Sequence, residues 1–225
     1  MVAPGVSCGR CPSCLNGEHQ LCREFGILGE SRDGGYAELV AVPRANLLPA
    51  PAHLTDAEAA SMPLAFLTAW HMLVGRARIR AGMTVLVQAG MSGVGSAAIQ
   101  IARLHGARVI TTAGSAEKVQ QAVALGADHG VNYHDEAFVD AVGAIAGKEG
   151  VDIVVDHIGE PTFKGNLRLL RPGGTLVMCG STAGSEVPLN LRALFFKAVS
   201  ILGSTMGSLG EMGTVAKLIE QGKLT

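Results

Sequence analysis

Four of the five cysteines in this 225-residue chain fall within one short run, Cys8-Gly-Arg-Cys11-Pro-Ser-Cys14-Leu-Asn-Gly-Glu-His-Gln-Leu-Cys22. Cys8, Cys11 and Cys14 follow one another at Cys-x-x-Cys spacing, which lets neighbouring thiolates converge on one ion. Four sulfurs leave no open coordination position, so the predicted chemistry is a closed, tetrahedral zinc site of the structural kind. The alternatives are disulfides, which a reducing compartment disfavours, and coincidence, which the density of the cluster disfavours. Glu18 and His19 are possible ligands, read here as solvated loop residues because the cysteines already fill the site.

A second group of residues has the types and order needed to hold a pyrophosphate. Residues 84–95 read TVLVQAGMSGVG, an uncharged run breaking into a glycine turn. Against the Gly-x-Gly-x-x-Gly pattern the chain supplies Gly90 and Gly95, has Ser92 in the middle and adds Gly93. Ala89 and Val94 complete the turn, whose N–H groups and following helix N-terminus suit an anion. About twenty residues beyond such a turn, an Asp or Glu normally binds the ribose 2′-hydroxyl of NAD. Here that position falls near Ala113, followed by Ser115 and Lys118, which could donate to a 2′-phosphate. NADP is therefore the expected cofactor, with NAD the alternative. Ser115 could equally cap the next helix while Lys118 stays solvated, and capping does not exclude phosphate binding.

Regular elements must hold these residues in place. Val85, Leu86 and Val87 read as a central parallel strand covered on both faces. Val94, Ala97, Ala98, Ile101 and Ala102 put one apolar stripe on a helix reaching about residue 105. Further strands are expected at 107–112, 130–133, 151–156, 174–179 and 200–204, with helices at 116–125, 136–146, 162–170 and 191–198 between them. Six strands alternating with helices make a doubly wound parallel sheet of the Rossmann type, with the cofactor across the carboxyl ends of the strands. Tyr133, His157 and Gly180 are the candidate cofactor residues at those ends, with Gly159 and Cys179 beside them. Cys179 is read as a small buried residue and not as a reactive thiol. Earlier in the chain, residues 34–51 alternate like an edge strand interrupted by Pro43, Pro49 and Pro51. Thr55 and Glu58 form a capping-box pattern, opening a helix expected to break near Pro63, with a longer helix from residue 64 to about 76.

Composition narrows the function classes. A hydrophobic content of 48% supports a substantial core, and a formal charge of −1 with scattered Lys and Arg offers no basic face for nucleic acid or membrane. The opening MVAPGVSCGRC has no apolar signal core, and the long apolar run at 59–75 contains Ser61, Pro63, Thr68 and His71, as a buried helix would. The cytoplasm is the expected location.

The cysteine loop, GGYAELVAVP, PLAFLTAWHML, AGMSGVG and LGAD together resemble the medium-chain dehydrogenase/reductase family, in family order and over nearly the whole chain. Within it the chain is most similar to zinc-binding alcohol dehydrogenase-like and quinone oxidoreductase-like proteins. The resemblance implies that residues 1–63 are the remnant of a chaperonin-10-like catalytic domain with the zinc loop, 64–205 the cofactor domain, and 206–225 a return to the catalytic domain. It implies truncation at both ends. It places Leu64 where zinc-dependent alcohol dehydrogenases carry a catalytic zinc ligand, favouring the quinone-reductase-like branch; Glu58 and His71 are the nearest other ligand types. A lone histidine on an apolar helix such as His71 is read as a hydrogen-bonded core residue. The expected activity is hydride transfer between the nicotinamide and a small-molecule quinone, enone or alcohol/carbonyl substrate, with no catalytic acid assigned. A non-catalytic nucleotide- and zinc-binding module is the alternative. The resemblance further implies a homodimer or homotetramer joined near residues 201–205, where an exposed apolar edge strand needs cover.

Overall fold

The computed structural model describes residues 1–225, which divide into two compact units, Met1–His71 with Thr205–Thr225, and Met72–Ser204. In the first, β1 (Gly5–Val6) pairs antiparallel with β2 (Gly26–Ile27), and α1 (Pro12–Leu15) lies within the intervening cysteine loop. Buried Asn46 ties this corner together, its Nδ2 donating to Ala3 O at 2.8 Å and Gly5 O at 2.7 Å. The edge strand expected at 34–51 does not form. Only the Val2↔Leu47 bridge and a single helical turn at Arg44–Asn46 occur there, and Tyr36 and Leu39 are almost wholly exposed. Alternating side chains make an extended segment, but a strand also needs a neighbouring backbone to complete its ladder, and no strand pairs with residues 35–43.

The predicted capping box is present at the start of α2 (Asp56–Trp70), where Glu58 N donates to Thr55 Oγ1 at 3.3 Å and Thr55 N donates to Glu58 Oε2 at 2.8 Å. The helix does not break at Pro63. It runs through to Trp70 and continues into a wider π-helical turn at His71–Arg76. Burial of Met62, Pro63, Phe66 and Leu67 offsets the local cost of a proline inside a helix.

The second unit alternates strand and helix: β3 (Thr84–Val87), α3 (Gly93–Leu104), β4 (Arg108–Ala113), α4 (Ala116–Ala124), β5 (His129–Asn132), α5 (Phe138–Ala146), β6 (Val151–Asp156), α6 (Glu160–Leu169), β7 (Leu170–Met178), α7 (Leu191–Phe196) and β8 (Ser200–Gly203). All six strands are parallel, in the order β5-β4-β3-β6-β7-β8. The winding reverses between β3 and β6, where Val85 faces Ile153 and Val87 faces Val155. Val85, Leu86, Val87, Val154 and Val155 are fully buried, as a central strand pair covered on both faces requires. β7 begins earlier than the expected residue 174 because a register shift opposite Val151/Ile153 absorbs the Arg171-Pro172-Gly173-Gly174 stretch.

After β8 the chain rejoins the first unit through α8 (Leu209–Glu220), opened by a second capping box of Ser208 and Glu211. His71 Nδ1 lies 2.9 Å from Glu211 Oε1, and Thr68 Oγ1 donates to Met206 Sδ at 3.8 Å. His71 is thus a hydrogen-bonded interior residue. It is the last residue of the N-terminal segment of the first unit.

Candidate functional site

Cys8, Cys11, Cys14 and Cys22 come together in space, with all four sulfurs within 4.8 Å of one another. Four sulfurs at tetrahedral corners about 2.3 Å from a zinc ion lie roughly 3.8 Å apart. Cys8 Sγ and Cys14 Sγ are separated by 3.9 Å, and Cys11 Sγ and Cys14 Sγ by 3.5 Å. Main-chain donors already point inward: Cys11 N to Cys8 Sγ at 3.4 Å, Cys8 N to Cys22 Sγ at 3.5 Å, and Glu24 N to Cys22 Sγ at 3.3 Å. The Arg10 and Cys11 N–H groups hold the Cys8 thiol down to about 6. At Cys11 the Cys14 N–H favours the thiolate, yet burial and the neighbouring sulfurs push the thiol up to about 11. A cation is what lets all four become thiolates together. All four are free thiols, without a disulfide. Glu18 is exposed as expected, whereas His19 is half-buried with its Nδ1 enclosed and unpartnered. It lies outside the sulfur group.

In the second unit the glycine turn links β3 to α3. Ala89 adopts φ +49°, a left-handed conformation that costs a non-glycine residue about 1–2 kcal/mol. Gly90 and Gly95 are there for close approach. A Cβ on Gly90 would strike Thr111 Oγ1, and one on Gly95 would strike Ala89 O and lie 2.9 Å from Gly90 Cα. Ser92, at the middle-glycine position, is the N-cap of α3, its Oγ accepting from Gly95 N at 3.0 Å. Gly93 and Val94 open the helix, where first-turn N–H groups have no intrahelical acceptor and face outward.

Ala89, Met91 and Ser92 of this turn line a cleft of about 190 Å³ together with Ala113, Gly114, Lys118 and Tyr133. The cleft therefore gathers the turn, the end of β4, the start of α4 and the residue after β5. No carboxylate lines it. Lys118 is exposed, and the Tyr133 ring packs at 4.7 Å from that of His134. Ser115 caps α4, accepting from Lys118 N at 3.2 Å, and its own hydroxyl proton is left to donate. Sequence reasoning missed Met91 and Gly114. The signal for Gly114 was its place directly after the strand: a Cβ there would sit 2.6 Å from Tyr133 Oη.

His157 and Gly180 are not part of that cleft. They follow β6 and β7 at the carboxyl edge of the same sheet, where a Cβ on Gly180 would lie 3.6 Å from His157 Cβ. Burial pulls the His157 imidazole below its ordinary 6.5, and its Nδ1 is enclosed without a partner. Burial, reinforced by the Asp156 charge, pushes the Cys179 thiol up to about 11, which marks a protonated and unreactive sulfur.

Residues 93–221 match the zinc-binding dehydrogenase family, and residues 1–52 match the alcohol dehydrogenase GroES-like domain. The chain belongs to the zinc-binding dehydrogenase family. Among curated relatives, the quinone oxidoreductase of Rattus norvegicus is 34% identical over 175 residues, covering 78% of this chain and 53% of the relative. The crotonyl-CoA reductase of Streptomyces collinus is 31% identical over 214 residues, covering 87% of this chain and 48% of the relative. Among solved structures, an NAD-dependent alcohol dehydrogenase superposes with a TM-score of 0.95 at 48% identity, covering 99% of this chain and 65% of the other. A 2-octenoyl-CoA carboxylase reductase, CinF, in complex with NADP and 2-octenoyl-CoA, gives a TM-score of 0.92 at 33% identity, covering 100% of this chain and 55% of the other. The chain thus spans about half the length of these two curated relatives. No helix in it is long and apolar enough to cross a membrane.

Proposed function

We propose that this chain carries the cofactor-binding part of an NADP-dependent oxidoreductase that moves hydride between the nicotinamide and a quinone, enone or carbonyl substrate. The observation that carries the reading is the cleft between the glycine turn and the end of β4, which is lined by Ala113 and Lys118 and by no carboxylate. Bound there, NADP(H) would supply the hydride chemistry itself. The outward N–H groups at the start of α3 would donate to the pyrophosphate oxygens. Lys118 and the Ser115 hydroxyl would meet the 2′-phosphate, and the Tyr133 ring would flank the adenosine end. His157 and Gly180, at the carboxyl ends of β6 and β7, would border the nicotinamide half. Leu64, a hydrocarbon on α2, offers no ligand for a catalytic zinc, which supports a metal-free hydride transfer. In the cysteine loop we assign a structural zinc to Cys8, Cys11, Cys14 and Cys22.

The NAD-dependent relative at 48% identity favours NAD as the second reading. Titration of both reduced cofactors decides between them. NADPH is expected to bind more tightly than NADH, and Ala113→Asp with Lys118→Ala is expected to reverse that order by placing a carboxylate against the 2′-position. An unchanged ratio in the double variant would move the ribose end elsewhere. Cofactor oxidation with a panel of quinones, enones and aldehydes then tests the substrate class, and the absence of turnover with every acceptor would favour a non-catalytic nucleotide-binding role.

A further inference from the structure

Beneath the glycine turn lies a buried polar chain that joins β6 to β4 across β3. Asp156, Asn166 and Thr112 are fully buried and Gln88 is 1% exposed. Asp156 Oδ1 accepts from Ile158 N at 2.7 Å, while its Oδ2 accepts from Thr162 Oγ1 at 2.7 Å and from Asn166 Nδ2 at 2.8 Å. Asn166 Oδ1 then accepts from Gln88 Nε2 at 2.7 Å, Gln88 Oε1 accepts from Thr112 Oγ1 at 2.6 Å, and Thr112 Oγ1 accepts from Ala89 N at 3.1 Å.

Every donor in this chain points toward Asp156, and the order has a physical cause. A carboxylate only accepts, so the amide nitrogen of Asn166 must face it and the amide oxygen must face away. That oxygen selects the nitrogen of Gln88, whose oxygen in turn selects the proton of Thr112. The Thr112 oxygen is thereby left as an acceptor for the Ala89 N–H. A reversed chain would leave the Thr112 hydroxyl proton without an acceptor in a buried setting, which is costly. The donating end is a strained one, since Ala89 holds φ +49°.

We propose that Asp156 is a positioning residue for the glycine turn, acting through Asn166, Gln88 and Thr112 on the backbone N–H of Ala89. The relay holds Ala89 in its left-handed conformation and so aims the turn at the pyrophosphate; this functional consequence rests on reading the turn as the cofactor seat. It also links the two halves of that seat, because Asp156 immediately precedes His157 at the end of β6.

Amide hydrogen exchange in the ligand-free chain tests the relay without any cofactor. The neighbouring Gly90 N–H donates to the main-chain oxygen of Thr112 at 2.9 Å and serves as the internal reference. In Thr112→Val, which keeps the side-chain shape and removes the hydroxyl, exchange at Ala89 is expected to rise roughly tenfold or more while Gly90 stays as in the wild type. Thr112→Ser restores the hydroxyl and the slow exchange, and Asp156→Asn gives a faster Ala89 with little change at Gly90. An unchanged Ala89 in Thr112→Val, or equal acceleration of both amides, overturns the relay. Titration with NADPH, NADH and adenosine 2′-phosphate then tests the consequence. Thr112→Val should weaken both dinucleotides roughly tenfold and leave adenosine 2′-phosphate, which has no pyrophosphate, unaffected. If the wild type binds none of the three, the cofactor reading falls while the exchange result still decides the relay. If the dinucleotides bind Thr112→Val as they bind the wild type, the turn does not need the relay and the proposal fails.

Discussion

Gly114 lines the candidate cofactor cleft and Gly90 lies between two residues that do, but adding a methyl to each has different consequences. At Gly90 the new Cβ would meet Thr111, whose hydroxyl is buried and donates to Val87 O at 2.8 Å, and also Ile99 Cδ1 at 2.9 Å. Thr111 cannot move without losing that hydrogen bond between strands and Ile99 is fully buried, so Gly90→Ala should cost about 1–3 kcal/mol in urea unfolding and weaken cofactor binding. At Gly114 the obstacle is the hydroxyl tip of Tyr133, a side chain 45% exposed that can swing into solvent. Gly114→Ala should therefore change stability by less than about 1 kcal/mol while altering cofactor affinity, a split that titration beside unfolding would reveal. The glycine pattern made Gly90 and Gly95 readable in advance because both are set by the local strand-turn-helix path. Gly114 carried only the signal of its place directly after the strand, because the neighbour that constrains it, the Tyr133 hydroxyl, lies across the cleft. The Asp156, Asn166, Gln88 and Thr112 relay was hidden for the same reason: its members are far apart in sequence and meet only when three strands lie side by side.

The helices α2 and α8 show what an element needs beyond its own sequence. Glu211 closes the capping box of α8 by accepting from Ser208 N at 2.8 Å, and the same carboxylate meets His71 at the end of α2. Partial burial opposes the charge, yet the His71 and Ser208 contacts hold the Glu211 carboxyl below its ordinary 4.5. A carboxyl with a depressed folded pKa adds stability that is present above the unfolded value and lost as pH falls through the folded one. Glu211→Gln should therefore lower the unfolding free energy at neutral pH by about 1–2 kcal/mol, and the gap to the wild type should close below pH 4.5, as urea titrations across that range would show. An equal gap at every pH would assign the loss to packing alone. The strands and helices of the sheet-bearing unit were readable from periodicity, since each is long enough to show its pattern and is bounded by glycine. The segment at 34–51 misled, because alternation reports which side chains could share a face and says nothing of whether a partner backbone is there. Pro63 misled in the opposite direction: its local cost was visible and the burial that offsets it was not.

The candidate metal and cofactor residues lie in different parts of the chain. The four cysteines belong to the unit Met1–His71 with Thr205–Thr225, and every candidate cofactor residue belongs to Met72–Ser204. One tightly held zinc with an all-sulfur coordination shell is expected from metal analysis and X-ray absorption; oxygen or nitrogen ligands would refute it. Removing the zinc with a strong chelator should speed hydrogen exchange around residues 8–22, with a much smaller effect on NADPH affinity. The strand order carries a consequence for how the molecule is made. β3 pairs on one side with β4, which follows it closely, and on the other with β6, so that Val85 waits for Ile153. During synthesis from the N-terminus, a three-stranded half-sheet of β3, β4 and β5 can assemble while β6 is still within the ribosome or newly emerged. Its open edge is Val85-Leu86-Val87, an uncharged run that is fully buried in the finished fold. Until β6 arrives, that edge is a sticky template for other nascent chains, and slowing translation between residues 113 and 151 should lower the soluble yield more than slowing it after residue 178.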